Sequence, residues 1–336
     1  MIKKLKDSSL FNLAGLMLAW VAIFAFFAWK APPAFHSIDN LETMARQGTI
    51  VSIATLGMTC IIISGGIDLS VGSVVALVSV VIAALLMSGK SPWVALFGGL
   101  AAGGACGLFN GILITRLKVV PFIVTLGTFL IVRGAAKWVS NEKTINPPPN
   151  WLDDIISRPP KAPPAPKGLG GFILNIIPSV WAIFPIGVWL MLVLALLVSL
   201  MLKRTRFGRH IVAVGSNEQA ARLCGVPVER VKVLVYMIAG LFFGLSGLMT
   251  FSRLTLGDPT VAQGLELDVI AAVVIGGASL NGGQGSVLGS LLGAWIMITI
   301  SAGCSMMGWS TFVEQMVTGT IIIISVAIDR LRVRKD

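Results

Sequence analysis

The sequence predicts an all-α, polytopic membrane protein with about ten transmembrane helices. Three observations carry that prediction. Hydrophobic residues make up 55% of the 336 and charged residues only 12%, against about 25% charged in an ordinary soluble domain. The apolar residues fall in runs close to the roughly 20 residues that a helix needs to cross a bilayer. The formal net charge of +11 gathers between those runs, where basic residues set membrane orientation. That placement accounts for the charge without a nucleic-acid partner.

The runs follow in order. Leu10–Trp29 is free of charge, and Lys3, Lys4 and Lys6 precede it. No small-residue cleavage site follows, so it reads as an uncleaved first span with a cytoplasmic N-terminus. The next runs are Gly48–Gly66, Val71–Ser88, Pro92–Thr115 and Val119–Val139. After a polar interval come Val180–Leu202, Val233–Ser252, Asp268–Leu280, Val287–Met307 and Thr311–Ile328. The run at Asp268–Leu280 is too short to cross alone and is expected to be extended, re-entrant or broken. An even number of spans puts both termini on one side. Arg330, Arg332, Arg334 and Lys335 assign the C-terminus to the cytoplasm as well. On this alternation, sixteen of the 26 basic residues are cytoplasmic, as the positive-inside rule requires.

Two intervals stand out within this single transmembrane domain of residues 1–336. The external one, residues 140–178, holds Pro147-Pro148-Pro149, Pro159-Pro160 and Pro163-Pro164. Proline runs favour extended backbone and stop helices. The segment reads as an exposed linker or as a surface for an external partner. The cytoplasmic one, residues 203–232, contains a stretch of helical composition from Asn217 to Cys224. Ser216 or Asn217 can cap it and Gly225 can end it.

The polar residues near the apolar runs supply the candidate pathway. Gly65-Gly66-Ile67-Asp68-Leu69-Ser70-Val71-Gly72 interrupts two runs, and Gly276-Gly277-Ala278-Ser279-Leu280-Asn281-Gly282-Gly283 follows another. Both fit G-G-x-x-L-x-x-G. Paired glycine interruptions in two halves of a transporter point toward the pathway. Asp68 is a functional candidate because an acid is costly at membrane depth. Its alternative is a loop at the cytoplasmic surface, with Asp68 or Ser70 capping the next helix. Arg133, with Lys137 one turn on, reads as snorkelling to the interface or as paired with an acid. Asn110 and Thr125 can bond across helices. Glu266, Asp268 and Glu314 lie near span ends.

Several chemistries have no support. Cys60, Cys106, Cys224 and Cys304 are too far apart for a metal or redox motif, and His36 and His210 are isolated. No metal site and no cofactor are expected. No nucleophile–base spacing suggests an enzyme. G-x-x-x-x-G-K-[ST] occurs nowhere in the chain, so it binds no ATP by a P-loop.

Longer matches carry a family resemblance. Gly57-Met58-Thr59 with Gly65–Gly72, Pro121–Thr128 with Arg133-Gly134, Thr205–Arg209, Val214–Gly225 and Glu266–Gly277 resemble the permeases of ribose-type sugar ABC importers over roughly residues 40–330. The resemblance implies a type II ABC importer permease in the bacterial inner membrane, conducting a monosaccharide or related small polar solute. It implies three partners: a separate ABC ATPase subunit, a periplasmic substrate-binding protein and a second permease subunit. Gln219-Ala220-Ala221-x-x-x-Gly225 is similar to the coupling motif E-A-A-x-x-x-G, with Gln219 replacing the glutamate. That implies coupling roles for Asn217, Glu218, Gln219, Ala220, Ala221 and Gly225. Thr318 stands where such permeases commonly carry lysine, and the external segment is long for the family. The competing function is an ion-coupled secondary transporter, with its site on intramembrane acids.

Overall fold

Backbone at membrane depth has no water to bond, so it must satisfy itself. A computed structural model describes residues 9–156, 185–310, 312–321 and 323. Its helices are α1 (Ser9–Lys30), α2 (Ile38–Ile63), α3 (Val71–Met87), α4 (Pro92–Leu117), α5 (Pro121–Ser140), α6 (Ile186–Arg204), α7 (Arg206–Ser216), α8 (Glu218–Leu223), α9 (Val228–Leu254), α10 (Leu265–Ile275) and α11 (Val287–Met306). Residues 312–321 are also helical. Seven of the described helices (α1, α2, α4, α5, α6, α9 and α11) are long and apolar enough to cross a membrane. α3 has 17 residues and α10 has 11. The fold is thus an all-α, multi-pass membrane fold.

The expected runs match these helices with instructive departures. α2 starts ten residues before the run at Gly48. Its outer turns carry Asp39, Asn40, Glu42, Arg46 and Gln47, which lower the local apolar signal. The protein absorbs that polarity. Ser37 caps the helix by accepting from the Asn40 amide, the Asn40 side chain donates to the Phe35 carbonyl at 2.6 Å, and Glu42 pairs with Arg46 at 3.4 Å. α7 is absent from the sequence expectation, because Arg206, Arg209 and His210 read as loop; it is amphipathic and buries Ile211 and Val214. The tail of the last predicted run, the stretch from Val180 to Phe184, Pro159-Pro160 and Pro163-Pro164 lie outside the described residues.

The external segment differs from the linker expectation where it is described. A short 3-10 turn, Trp151–Asp154, is capped by Asn150, and Leu152 and Ile156 are buried. Ile145 forms a two-way backbone bridge with Gly257 beyond α9. The Ile156 amide donates to Ser252 Oγ on α9 at 3.1 Å, and the Gly187 amide on α6 donates to the Ile155 carbonyl at 2.9 Å. The Trp151 ring meets Trp93 on α4 at 4.7 Å between centroids. Residues 145–156 therefore clasp the starts of α4 and α6 and the end of α9, all at one end of the bundle, and hold them to α5, which leads into the segment.

α2 is the most buried of the seven long helices, and α9 packs against α2, α3 and α4. α9 meets α4 through glycines. Gly103, Gly107 and Gly111 recur every fourth residue on α4 and face Gly240, Gly244 and Tyr236 on α9. A Cβ on Gly107 would lie 2.9 Å from the Gly240 Cα, and one on Gly240 would lie 2.9 Å from the Gly107 Cα. Lipid tails are as apolar as leucine, so membrane helices gain from such close approach rather than from burial alone. α1 sits apart, packing Phe27 on Ile300 and Cys304 of α11, with Trp20 donating to Thr299 at 3.0 Å.

The interlock makes one prediction. Gly107→Leu drives a side chain into the α9 backbone and costs on the order of 3 kcal/mol. Thermal unfolding in detergent should show it clearly destabilised. Gly127→Ala, where a Cβ meets nothing within 4 Å, should leave the midpoint nearly unchanged. Equal behaviour of the two variants would refute the interlock.

Candidate functional site

The two glycine interruptions are ends of two helices built alike. At the end of α2 the Ser64 amide donates to Cys60, Gly65 to Ile62 and Gly66 to Ile61, at 3.1, 2.9 and 3.0 Å. At the end of α10 the Gly276 amide donates to Ala272, Gly277 to Val274 and Ala278 to Val273, at 2.9, 2.9 and 3.1 Å. Gly65 and Gly277 both take the left-handed conformation, at φ +80° and +87°, which ends a helix without the strain a Cβ would bring. The structural register thus pairs Gly65 with Gly277. This corrects the match of G-G-x-x-L-x-x-G, which pairs Gly65 with Gly276: the pattern aligns letters, whereas Ser64 occupies the backbone position of Gly276.

The two ends meet. The Gly283 amide donates to the Ile63 carbonyl at 2.8 Å. A Cβ on Gly282 would lie 2.9 Å from the Gly65 Cα and 2.7 Å from the Gly215 carbonyl oxygen. Gly215 belongs to α7, and a Cβ there would lie 2.6 Å from the Gly283 nitrogen. Three backbones converge with no room for side chains.

Beyond Gly66 the chain does not stay at this end of α10. Gly72 packs against the Ala262 carbonyl and Glu266, at the other end of α10. A helix of 11 residues is about 16 Å long. The segment 66–70 therefore runs as non-helical backbone alongside α10, and α3 begins partway across the bundle. This is why α3 is short.

That segment is held by buried polar groups. Asp68 is fully buried. Its Oδ1 accepts from the Ser70 amide at 2.8 Å and the Ser70 hydroxyl at 2.6 Å; its Oδ2 accepts from Asn110 Nδ2 at 3.1 Å. Asn110 also donates to Ser70 Oγ at 3.0 Å. The Ile67 carbonyl accepts from Tyr236, the chain's single tyrosine, at 3.2 Å and from Thr125 at 3.3 Å. The helix-capping alternative is corrected here. Ser70 makes no side-chain cap bond to α3, and Asp68 closes a turn on Ser70 two residues on, deep in the protein rather than at its surface.

The structure thus brings together Gly65, Gly66, Asp68, Ser70, Asn110, Thr125, Gly282 and Gly283, with Gly72 at the far end of the segment and Gly276 and Gly277 ending α10. Arg133 does not join them. It is 8% exposed and donates from Nη1 to the Pro259 and Val261 carbonyls at 2.9 and 2.7 Å. Snorkelling does not describe it: it props the turn before α10 through these carbonyls, and Glu266 and Asp258 lie near enough to act on its charge. Tyr236, which carries no motif, and Gly215, read only within the family-like stretch Val214–Gly225, also belong to the cluster.

The expected cytoplasmic helix forms as α8. Asn217 Oδ1 accepts from the Ala220 amide at 2.9 Å, and Gly225 leaves the helix at φ +80°. Ala221 is buried, while Glu218, Gln219 and Ala220 are exposed. Glu218 bonds Lys232 at 2.6 Å, and Arg222 pairs with Glu229, clamping α8 to the start of α9. The bond to Glu229 raises the Arg222 guanidinium above its usual range. Leu223 is 89% exposed at the tip, an unpartnered apolar residue absent from the sequence expectation.

A cavity of about 370 Å³ lies elsewhere, between α2, α9, α10, α11 and residues 312–321. Gln47, Arg253, Gln263, Asp268, Glu314 and Thr318 line it. None of the candidate pathway residues does. Of its lining, the sequence singles out Asp268, Glu314 and Thr318.

Residues 40–326 match the family described as branched-chain amino acid transport system / permease component. The ribose import permease of Bacillus subtilis is 37% identical over 89% of this chain and 87% of its own length. The ribose import permease of Escherichia coli K12 is 35% identical over 88% and 87%. The L-arabinose ABC transporter permease of Azospirillum brasilense is 33% identical over 96% and 89%. No solved structure matches the chain.

The polar cluster predicts the outcome of one substitution. Asn110→Leu keeps the volume but strips a donor from Asp68 and Ser70, costing about 2 kcal/mol. A thermal midpoint equal to that of the parent would show that the bonds contribute nothing.

Proposed function

We infer the function from one premise: the chain belongs to the family of branched-chain amino acid transport system / permease components. The observation that carries the reading is near full-length similarity to import permeases named for ribose and L-arabinose. The chain is the transmembrane permease subunit of an ATP-binding-cassette importer in the inner membrane. It forms the passage for a monosaccharide or related small polar solute. The relatives' names favour this over an ion-coupled transporter. The chain is not itself an enzyme: it lacks a P-loop, so a separate ATPase supplies the energy.

The finer arrangement is part of the same proposal. About ten crossings, counting α3 with its preceding segment, α10, and the last helical run, place both termini in the cytoplasm. A periplasmic binding protein delivers the solute, and a second permease subunit completes the passage. On the cytoplasmic face α8 is a suitable handle: short, stiff, ion-paired to α9 and tipped by exposed Leu223. Force on α8 reaches α7, whose Gly215 touches both Gly65 and Gly282. The convergence of three backbones then couples the handle to the segment holding Asp68.

Two outcomes test this. Deleting the chain should abolish ATP-dependent uptake of its solute, with D-ribose, L-arabinose and D-xylose as probes. Ala220→Trp, at an exposed position of α8, should insert normally yet lower uptake at least about tenfold and release the ATPase on affinity purification. Unchanged uptake and ATPase retention in that variant would remove the coupling role of α8.

A further inference from the structure

We propose that the cavity lined by Asp268 and Glu314 is a recognition site, on the permease itself, for a neutral polyhydroxylated solute. The proposal rests on the importer reading above and names where, and by what chemistry, this chain meets its cargo.

Position is the first support. Arg253 lies in the last turn of α9, Asp268 in the first turn of α10 and Glu314 near the start of residues 312–321. All three are helix ends on the side opposite α8, so the cavity faces the side from which import begins. Size is the second. About 370 Å³ falls in the range of small-molecule sites, roughly 300–1,000 Å³, and excludes a folded partner.

Chemistry is the third. Asp268 and Glu314 offer carboxyl oxygens that accept hydrogen bonds. Gln47 and Gln263 both donate and accept, and so does the Thr318 hydroxyl. Sugar hydroxyls also donate and accept and are spread around a ring, so they need such a mixed lining. Arg253 is the one cation among these lining groups, against two acids, and that balance disfavours an anionic solute. The neutral partners outnumber that cation, which suits distributed hydroxyls better than the single carboxylate of an amino acid. Apolar Ile50 and Met297 complete the wall, against which the C–H face of a sugar can lie.

Site-directed labelling tests the proposal in the assembled transporter. Ser301 lines the same cavity. Ser301→Cys, in right-side-out membrane vesicles, should react with a membrane-impermeant thiol reagent where the parent chain does not. Saturating D-ribose, L-arabinose or D-xylose should slow that reaction about threefold or more, the effect of two-thirds occupancy. L-leucine should not. Adding Asp268→Asn should abolish the protection, and adding Thr318→Val should weaken it; the second variant serves if the first fails to insert. No reaction of the Ser301→Cys variant, or no protection by any sugar in vesicles that import it, would overturn the site while the importer reading stood. Protection by L-leucine alone would overturn the solute class. Failure of the importer reading would show separately, as unchanged uptake of all three sugars on deletion of the chain.

Discussion

Everything near the candidate pathway depends on one constraint: a peptide carbonyl or amide inside a membrane protein must find a partner without water. The segment from Gly66 to Ser70 leaves the helix and travels beside α10. The Ile67 carbonyl is met by Tyr236 and Thr125, and the Ser70 amide by Asp68. The groups that hold the segment come from three other helices: α5, α9 and, through Asn110, α4. The segment is therefore a product of the whole bundle. Asp68 does not stand there as a free charge; its hydrogen-bond donors are neutral, and it organises backbone.

Packing obeys a related rule. The apolar driving force that assembles soluble helices is weak between helices already surrounded by lipid. Close approach must substitute for it. The glycine ladder between α4 and α9 and the meeting of Gly65, Gly215 and Gly282 are two uses of that principle. The first buries a long helix pair and fixes it. The second joins short ends and loops, where a small displacement of one backbone is felt at once by the other two. Stiffness and responsiveness come from the same residue type in different surroundings.

Most of the bundle is legible in the sequence because lipid imposes length and apolarity on any helix that faces it. Helices that face protein escape that signal. The first third of α2 is polar, yet it is helical because Ser37, Phe35 and the Glu42–Arg46 pair satisfy its side chains; α7 is charged, yet it is helical because it buries Ile211 and Val214 and leaves Arg206 and Arg209 exposed. The short helix α8 is readable from its cap and its glycine stop, and both hold. Asn110 and Thr125, expected to bond across helices, do bond the segment around Asp68. Tyr236 carries no signal in the sequence, Gly215 is read only as part of the family-like stretch Val214–Gly225, and the cavity shows only in scattered lining residues, since each gains meaning from elements distant in the chain. Arg133 is readable by type alone, and its partners are carbonyls that no spacing rule anticipates.

The clasp at residues 145–156 has a mechanical consequence. It joins the neighbouring ends of α4, α5, α6 and α9 through backbone bonds and a tryptophan pair. Those four ends cannot part without breaking several bonds at once. Helices α10, α11 and residues 312–321, which border the cavity, take no part in those bonds among the described residues. α9 alone serves both: Ser252 accepts from the clasp, and Arg253, the next residue, lines the cavity.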